Sequence, residues 1–155
     1  MKTKDNVEIK GMFRVHIRDE DGKLAGDSGW QENQVVNLGF NQYLVSLLGA
    51  MAGSKQISHA ALGTGGAPGA ADTTLAGEVE QRAAVTAATS STSKTLNLLA
   101  TFASTLSFVT NTQNISNIGL FNTSSGGTIF AGNTFASSSC ATNQQVEATY
   151  NIIFA

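Results

Sequence analysis

Cysteine occurs once in the 155 residues, at Cys140, proline once, at Pro68, and histidine twice, at His16 and His59. One cysteine excludes an internal disulfide and a cysteine-based metal site, and is consistent with a reducing compartment. Two separated histidines leave few bases that work near neutral pH. Charged residues make up 13% of the chain, well below the usual quarter. The formal net charge of −2 provides no basic face for nucleic acid. No run of about 18 apolar residues exists, which excludes a membrane-spanning helix. Met1 to Asp5 lead into alternating charges without the apolar core of a signal peptide, so the expectation is a protein made and used without secretion.

Alanine, glycine, serine and threonine take the place of the missing charge. Such a bland surface suits a protein packed among other copies or partners. The hydrophobic share of 41% and the length support a single domain over residues 1–155 with a real core. Most of the charge lies in residues 1–34, read as a solvated N-terminal hairpin region; residues 35–155 carry a helix and the β core.

Val7, Ile9, Phe13, Val15 and Ile17 alternate with charged residues, the period of a half-buried strand, and Gly11 marks a bulge or a close approach. Asp19-Glu20-Asp21-Gly22-Lys23 reads as a hairpin turn. The Asp19–Asp21 spacing also opens a calcium loop, but the later acidic ligands are missing. Leu24 to Asn33, with Trp30, is the return strand. Asn37 then caps a helix whose apolar stripe is Phe40, Tyr43, Leu44, Leu47 and Leu48, ending at Gly49 and packed on a sheet. Strands follow at Ile57–Leu62, Arg82–Thr89, Leu96–Phe102, Ile118–Phe121, Thr128–Phe135 and Val146–Phe154. Ser90 to Lys94, Asn111 to Asn114 and Ala136 to Gln145 read as turns or loops, and Ser124-Ser125-Gly126-Gly127 as a hairpin. The fold class is mainly β: an antiparallel sandwich or barrel with one short α-helix packed on it. A last strand that alternates to Phe154 must be paired, either centrally or against a neighbour.

The chain turns on Gly63-Thr64-Gly65-Gly66-Ala67-Pro68-Gly69, which leads through Asp72 to Leu75. The loop lacks the Gly-Lys-Ser/Thr ending of a phosphate cradle and the spacing of a dinucleotide fingerprint. It is small and nearly uncharged, so it can press against another backbone, and replacing Gly65-Gly66 with glutamates is expected to spare the fold and weaken assembly. Glu78 and Arg82 are expected to pair. No Gly-x-Ser-x-Gly elbow occurs, and nothing marks a nucleophile beside either histidine. The expectation is a non-enzyme without cofactor or metal.

The block Ala61-Leu62-Gly63-Thr64-Gly65, then Ala67-Pro68, Asp72-Thr73-Thr74-Leu75, Glu78 and Arg82, resembles a pattern in tailed-bacteriophage virion proteins. A second block in those proteins is similar to Ile118-Gly119-Leu120-Phe121-Asn122 followed by Ser125-Gly126-Gly127-Thr128-Ile129-Phe130-Ala131. The ending Tyr150-Asn151-Ile152-Ile153-Phe154 is similar to theirs too, so the likeness spans roughly residues 35–155. It implies a phage particle component: a capsid decoration or cement protein first, and a tail, baseplate or tail-fibre component as the alternative. It carries over no catalytic residue. The implied partners are capsid or tail proteins and further copies of the chain, with a trimer as first guess, and the implied location is the virion, after synthesis in the host cytoplasm. Interface residues expected on these grounds are Gly63, Thr64, Gly65, Gly66, Pro68, Tyr150, Ile152 and Phe154. A carbohydrate-binding sandwich is a further reading, weakened because Trp30, Tyr43 and Tyr150 are the only Trp or Tyr residues.

Overall fold

The structure, a computed structural model, describes residues 8–88 and 94–155. Among these residues nine strands form: β1 (Ile9–Arg18), β2 (Leu24–Asp27), β3 (Gln31–Val35), β4 (His59–Gly63), β5 (Ala83–Ala88), β6 (Thr95–Phe102), β7 (Gln113–Phe121), β8 (Ile129–Cys140) and β9 (Gln145–Phe154). Eight of them close into an antiparallel barrel in the order β1-β3-β8-β7-β4-β5-β6-β9 and back to β1. The four-residue β2 lies outside the ring on the edge of β1.

Alternation does most of the folding. Phe13, Val15 and Ile17 point inward from β1, as do Leu98, Ala100 and Phe102 from β6 and Val146, Ala148, Tyr150 and Ile152 from β9. Their rings meet in the middle, Phe13 stacking on Tyr150 at 5.4 Å and Phe102 against Phe108 at 5.5 Å. Strand β9 is the keystone: it pairs with β1 from Ile9–Phe154 to Arg18–Gln145, and with β6 from Thr95–Ile153 to Phe102–Val146. The final strand is therefore central, and both its edges are used inside the chain. Two strands turn the corners between the barrel walls. β3 gives Gln31–Asn33 to β1 and Gln34–Val35 to β8, while β5 gives Ala83–Ala84 to β4 and Val85–Ala88 to β6.

Gly11 sits where β3 crosses β1. A Cβ there would lie 2.7 Å from the Cβ of Asn33, so the close approach requires glycine. The Asp19–Lys23 turn forms as its sequence demands: Gly22 has φ of 79°, and Asp19 Oδ1 accepts the N–H groups of Asp21 and Lys23 at 3.1 and 2.8 Å. The β7–β8 hairpin likewise turns on Gly126 and Gly127 at positive φ.

Four expectations need correction. The return strand from Leu24 to Asn33 is two strands, broken at Ser28 to Trp30 where Gly29 turns left-handed. Ser28 bridges the gap, donating its N–H to the Val15 carbonyl at 3.0 Å and accepting the Val15 N–H on Oγ at 2.9 Å. The loop read over Ala136 to Gln145 is instead strand as far as Cys140. Its small polar residues face outward at the barrel rim, and Ser138–Cys140 pair with Gln113–Ile115, so β7 also starts earlier than Asn114. The expected Ser90–Lys94 turn, and Thr89 of the expected Arg82–Thr89 strand, fall largely outside the described residues.

The fourth correction is the helix, α1. It is wound as π over Gly39–Val45 and as α over Ser46–Leu48. Asn37 does not cap it; the cap position is Leu38, without a side-chain bond. The Asn37 N–H instead donates to the Ala70 carbonyl at 2.8 Å. The wide π-turn, bonded i to i+5, rotates later residues off a 3.6-residue stripe. Tyr43 is buried and Leu44 packs on the core, but Leu47 is 50% exposed and Leu48 90%. Gly49 ends the helix in a right-handed conformation, and the left-handed residue after it is Ala50, with φ of 47°.

Leu44→Ala is therefore expected to cost about 2 kcal/mol or more, and Leu47→Ala under about 1 kcal/mol. Chemical denaturation of both variants checks this, and equal losses would mean that Leu47 is buried.

Candidate interaction surface

The glycine-rich loop leaves β4 at Gly63 and folds back over the outside of the barrel. Backbone bonds zip it to the segment that follows: Thr64 and Gly65 donate to Gly77 and Ala76 at 3.0 and 3.2 Å, and Val79 donates to Leu62 at 2.9 Å. The buried Asn117 pins it from below, its Nδ2 donating to the carbonyls of Gly66 and Ala76, both at 2.9 Å. Ser116 adds a bond from Oγ to the Gly65 carbonyl at 3.0 Å. Further along, Thr73 accepts the Ile129 N–H, and Leu75 drops into a second small core with Val36, Ala61, Phe121 and Ile129. That core faces away from the barrel interior, so the loop is the lid that keeps Phe121 and Ile129 from water.

The loop does press against a backbone, but the backbone is its own. A Cβ on Gly65 would come within 2.5 Å of the Ala76 carbonyl oxygen, and one on Gly63 would strike Asn117 Oδ1. Gly66 has open space around it. Of the expected interface residues, Thr64 and Gly66 are exposed, Gly65 is half-buried, and Gly63 and Pro68 are buried. Tyr150 and Ile152 are each 1% exposed and fill the barrel interior, so neither reaches a neighbour. Phe154 is half-buried at the barrel mouth. Of the two pairings expected for the last strand, the central one is found, because barrel closure uses both of its edges.

Behind the lid, Glu78 and Arg82 form the expected pair. Arg82, 8% exposed, donates from Nε to Glu78 Oε1 at 2.6 Å and from Nη2 to Oε2 at 3.0 Å. Its Nη1 donates to the carbonyls of Thr123 and Gly126 at 3.0 and 2.7 Å, and the guanidinium lies 3.5 Å over the Phe121 ring. One side chain thus joins the lid to the β7–β8 hairpin.

His59, His16 and Asp27 are held in local contacts. Ser58 Oγ lies 2.8 Å from His59 Nδ1, the neighbouring residue. Burial, and then the charge of Arg82, makes His59 harder to protonate. His16 is not simply solvated: its Nε2 lies 3.4 Å from Asp27 Oδ1. Asp27 is gripped by Arg14 through bonds of 2.9 and 2.5 Å, which with the Gly29 N–H hold its carboxyl well below the usual range. Burial pushes the Cys140 thiol up to about 11. Among the described residues no three His, Cys, Asp or Glu side chains gather where they could hold a metal ion, and no helix is long and apolar enough to cross a membrane.

What stands out on the surface is the end of α1. Val45, Leu47, Leu48 and Met51 are all at least half exposed and adjoin one another along the chain. The sequence reading placed Leu47 and Leu48 in the core. Adjacency gave no signal against that, since Tyr43 and Leu44 are just as adjacent and both pack on the core.

Two variants test the lid. Gly65→Glu is expected to lower the melting temperature strongly, by several degrees or more, while Gly66→Glu leaves it nearly unchanged. Thermal unfolding separates them; equal shifts would contradict the lid geometry. Arg82→Met is expected to cost about 3 kcal/mol, and Arg82→Lys to recover only part of that because lysine lacks the bidentate fork. Denaturation midpoints decide it, and a neutral Arg82→Met would show that the pair contributes nothing.

Comparison of this chain with protein-family models, with curated proteins and with solved structures finds no match.

Proposed function

We propose that the chain is a structural component of a tailed-bacteriophage virion, a decoration or cement protein that binds the head exterior and stabilises the particle as a homo-oligomer, with a trimer as the first geometry to test. The observation that carries this reading is the outward-facing apolar end of α1 on a barrel whose strands close into a ring. Exposed contiguous apolar side chains mark surfaces that another protein covers. The residues behind the resemblance to virion proteins add support, because they converge in space. The Gly63–Gly66 turn, Glu78, Arg82 and the hairpin of β7 and β8 are joined through Asn117 and Arg82 into one rigid unit. The proposed action is stapling: Val45, Leu47, Leu48 and Met51 are covered by capsid subunits or by neighbouring copies, and no substrate is turned over. Thr64 and Gly66 at the crest of the lid are the second contact, in place of the buried residues of β9.

Leu48→Glu is expected to leave the melting temperature unchanged, because its side chain is in water, and to weaken particle binding about ten-fold or more. Light scattering gives the mass in solution, and co-sedimentation with particles lacking the protein gives binding. A stable monomer that ignores capsids but adheres to host cells would overturn decoration in favour of a tail component.

A further inference from the structure

The barrel is open at one end. A cavity of about 270 Å³ enters there, between α1, the segment after it, and strands β5, β6 and β9. Its floor is the barrel core itself, formed by the buried Leu98, Phe130 and Ile152. Its sides are the partly buried Leu44, Leu96 and Phe154. Tyr43 offers its ring, since its hydroxyl already donates to the Thr128 carbonyl.

Among the described residues one that is charged lines this hollow, Lys55. Its backbone N–H donates to the Gln42 carbonyl at 2.9 Å, which fixes it beside the mouth. Among the described residues the ion pairs are made by Lys10, Arg14, His16, Arg18 and Arg82, and Lys55 is in none of them. Exposed Gln56 stands next to it on the lining. The hollow therefore combines an apolar interior with a single cation that has no carboxylate partner.

Water in such a space finds few polar partners, and a barrel of eight strands has room for one small ligand at most. We propose that the cavity binds a single unbranched acyl chain ending in a carboxylate, with the chain in the barrel mouth and the carboxylate on the Lys55 ammonium. Charge selects the head: an unpaired cation at the edge of an apolar hollow favours an anionic amphiphile over a neutral or cationic one. Volume selects the length: the hollow is at the small end of ligand pockets, which suits a chain of about eight to ten carbons rather than a whole lipid.

The test is displacement of the fluorescent probe 1-anilinonaphthalene-8-sulfonate by hexanoate, octanoate and decanoate, with calorimetry on decanoate. Affinity is expected to rise roughly three- to four-fold for each added methylene until the hollow is full. Lys55→Glu is expected to weaken decanoate about ten-fold or more and to leave decanol unchanged. Ala87→Trp, a substitution of an exposed lining residue on β5, is expected to abolish binding of both without lowering the melting temperature. The proposal is overturned by no displacement at millimolar decanoate, by equal effects of Lys55→Glu on decanoate and decanol, or by undiminished binding in a folded Ala87→Trp variant. Binding to phosphatidylglycerol vesicles without affinity for free decanoate would overturn it in favour of a membrane surface. A dimer that shuts out decanoate and is released by Leu48→Glu would overturn it in favour of a second copy of the chain.

Discussion

Everything in this barrel depends on β9 being gripped from both sides. Its inward residues, Val146, Ala148, Tyr150 and Ile152, are among the most buried in the chain. Its two ladders join the charged N-terminal strand to the apolar Leu96–Phe102 strand. Closure removes the edges that would otherwise recruit another strand. Among the described strands β2 alone lies outside the ring, on the edge of β1. The abrupt change of composition after residue 33 is thus no boundary between units, because charged and uncharged strands sit side by side in one ring.

A closed ring still leaves its outer face wet, and here one wall is too apolar to be left so. Strands β4 and β7 carry bulky residues outward as well as inward, with Ala61 and Phe121 on the outer side. The glycine-rich loop answers that need. It contributes Leu75 to the outer core, and it is tied down by an asparagine that is itself wholly buried. Glycine matters at position 65 because two backbones run within touching distance there, and at 132 because the Ile118 carbonyl oxygen and then Pro68 lie on it.

Where the polypeptide alternates cleanly, its sequence was enough to place it. The period-two runs of β1, β6 and β9, the Asp19–Lys23 turn, the Gly126-Gly127 hairpin and the Glu78–Arg82 pair were all legible. Legibility failed where tertiary contacts override local pattern. Ser137 to Ser139 look like loop because an outward rim strand needs no apolar partner, and only buried Cys140 hinted otherwise. The π-turn in α1 defeated the helical period, since nothing in Gly39–Val45 announces a widened turn. The barrel mouth was invisible for a different reason: Tyr43, Lys55, Leu96 and Phe154 lie far apart in sequence, and only closure brings them round one hollow.

The single cysteine has a use that its chemistry makes possible. Cys140 is fully enclosed at the far end of β8, opposite Gln113, and its thiol resists ionisation. A maleimide or aromatic disulfide in solution meets nothing reactive while that corner is shut. Modification must wait for β8 to peel from β7 at the rim, so the labelling rate counts openings of that seam and not collisions with the surface. The chain carries a built-in clock for local unfolding at the one place where a long strand runs past its apolar support.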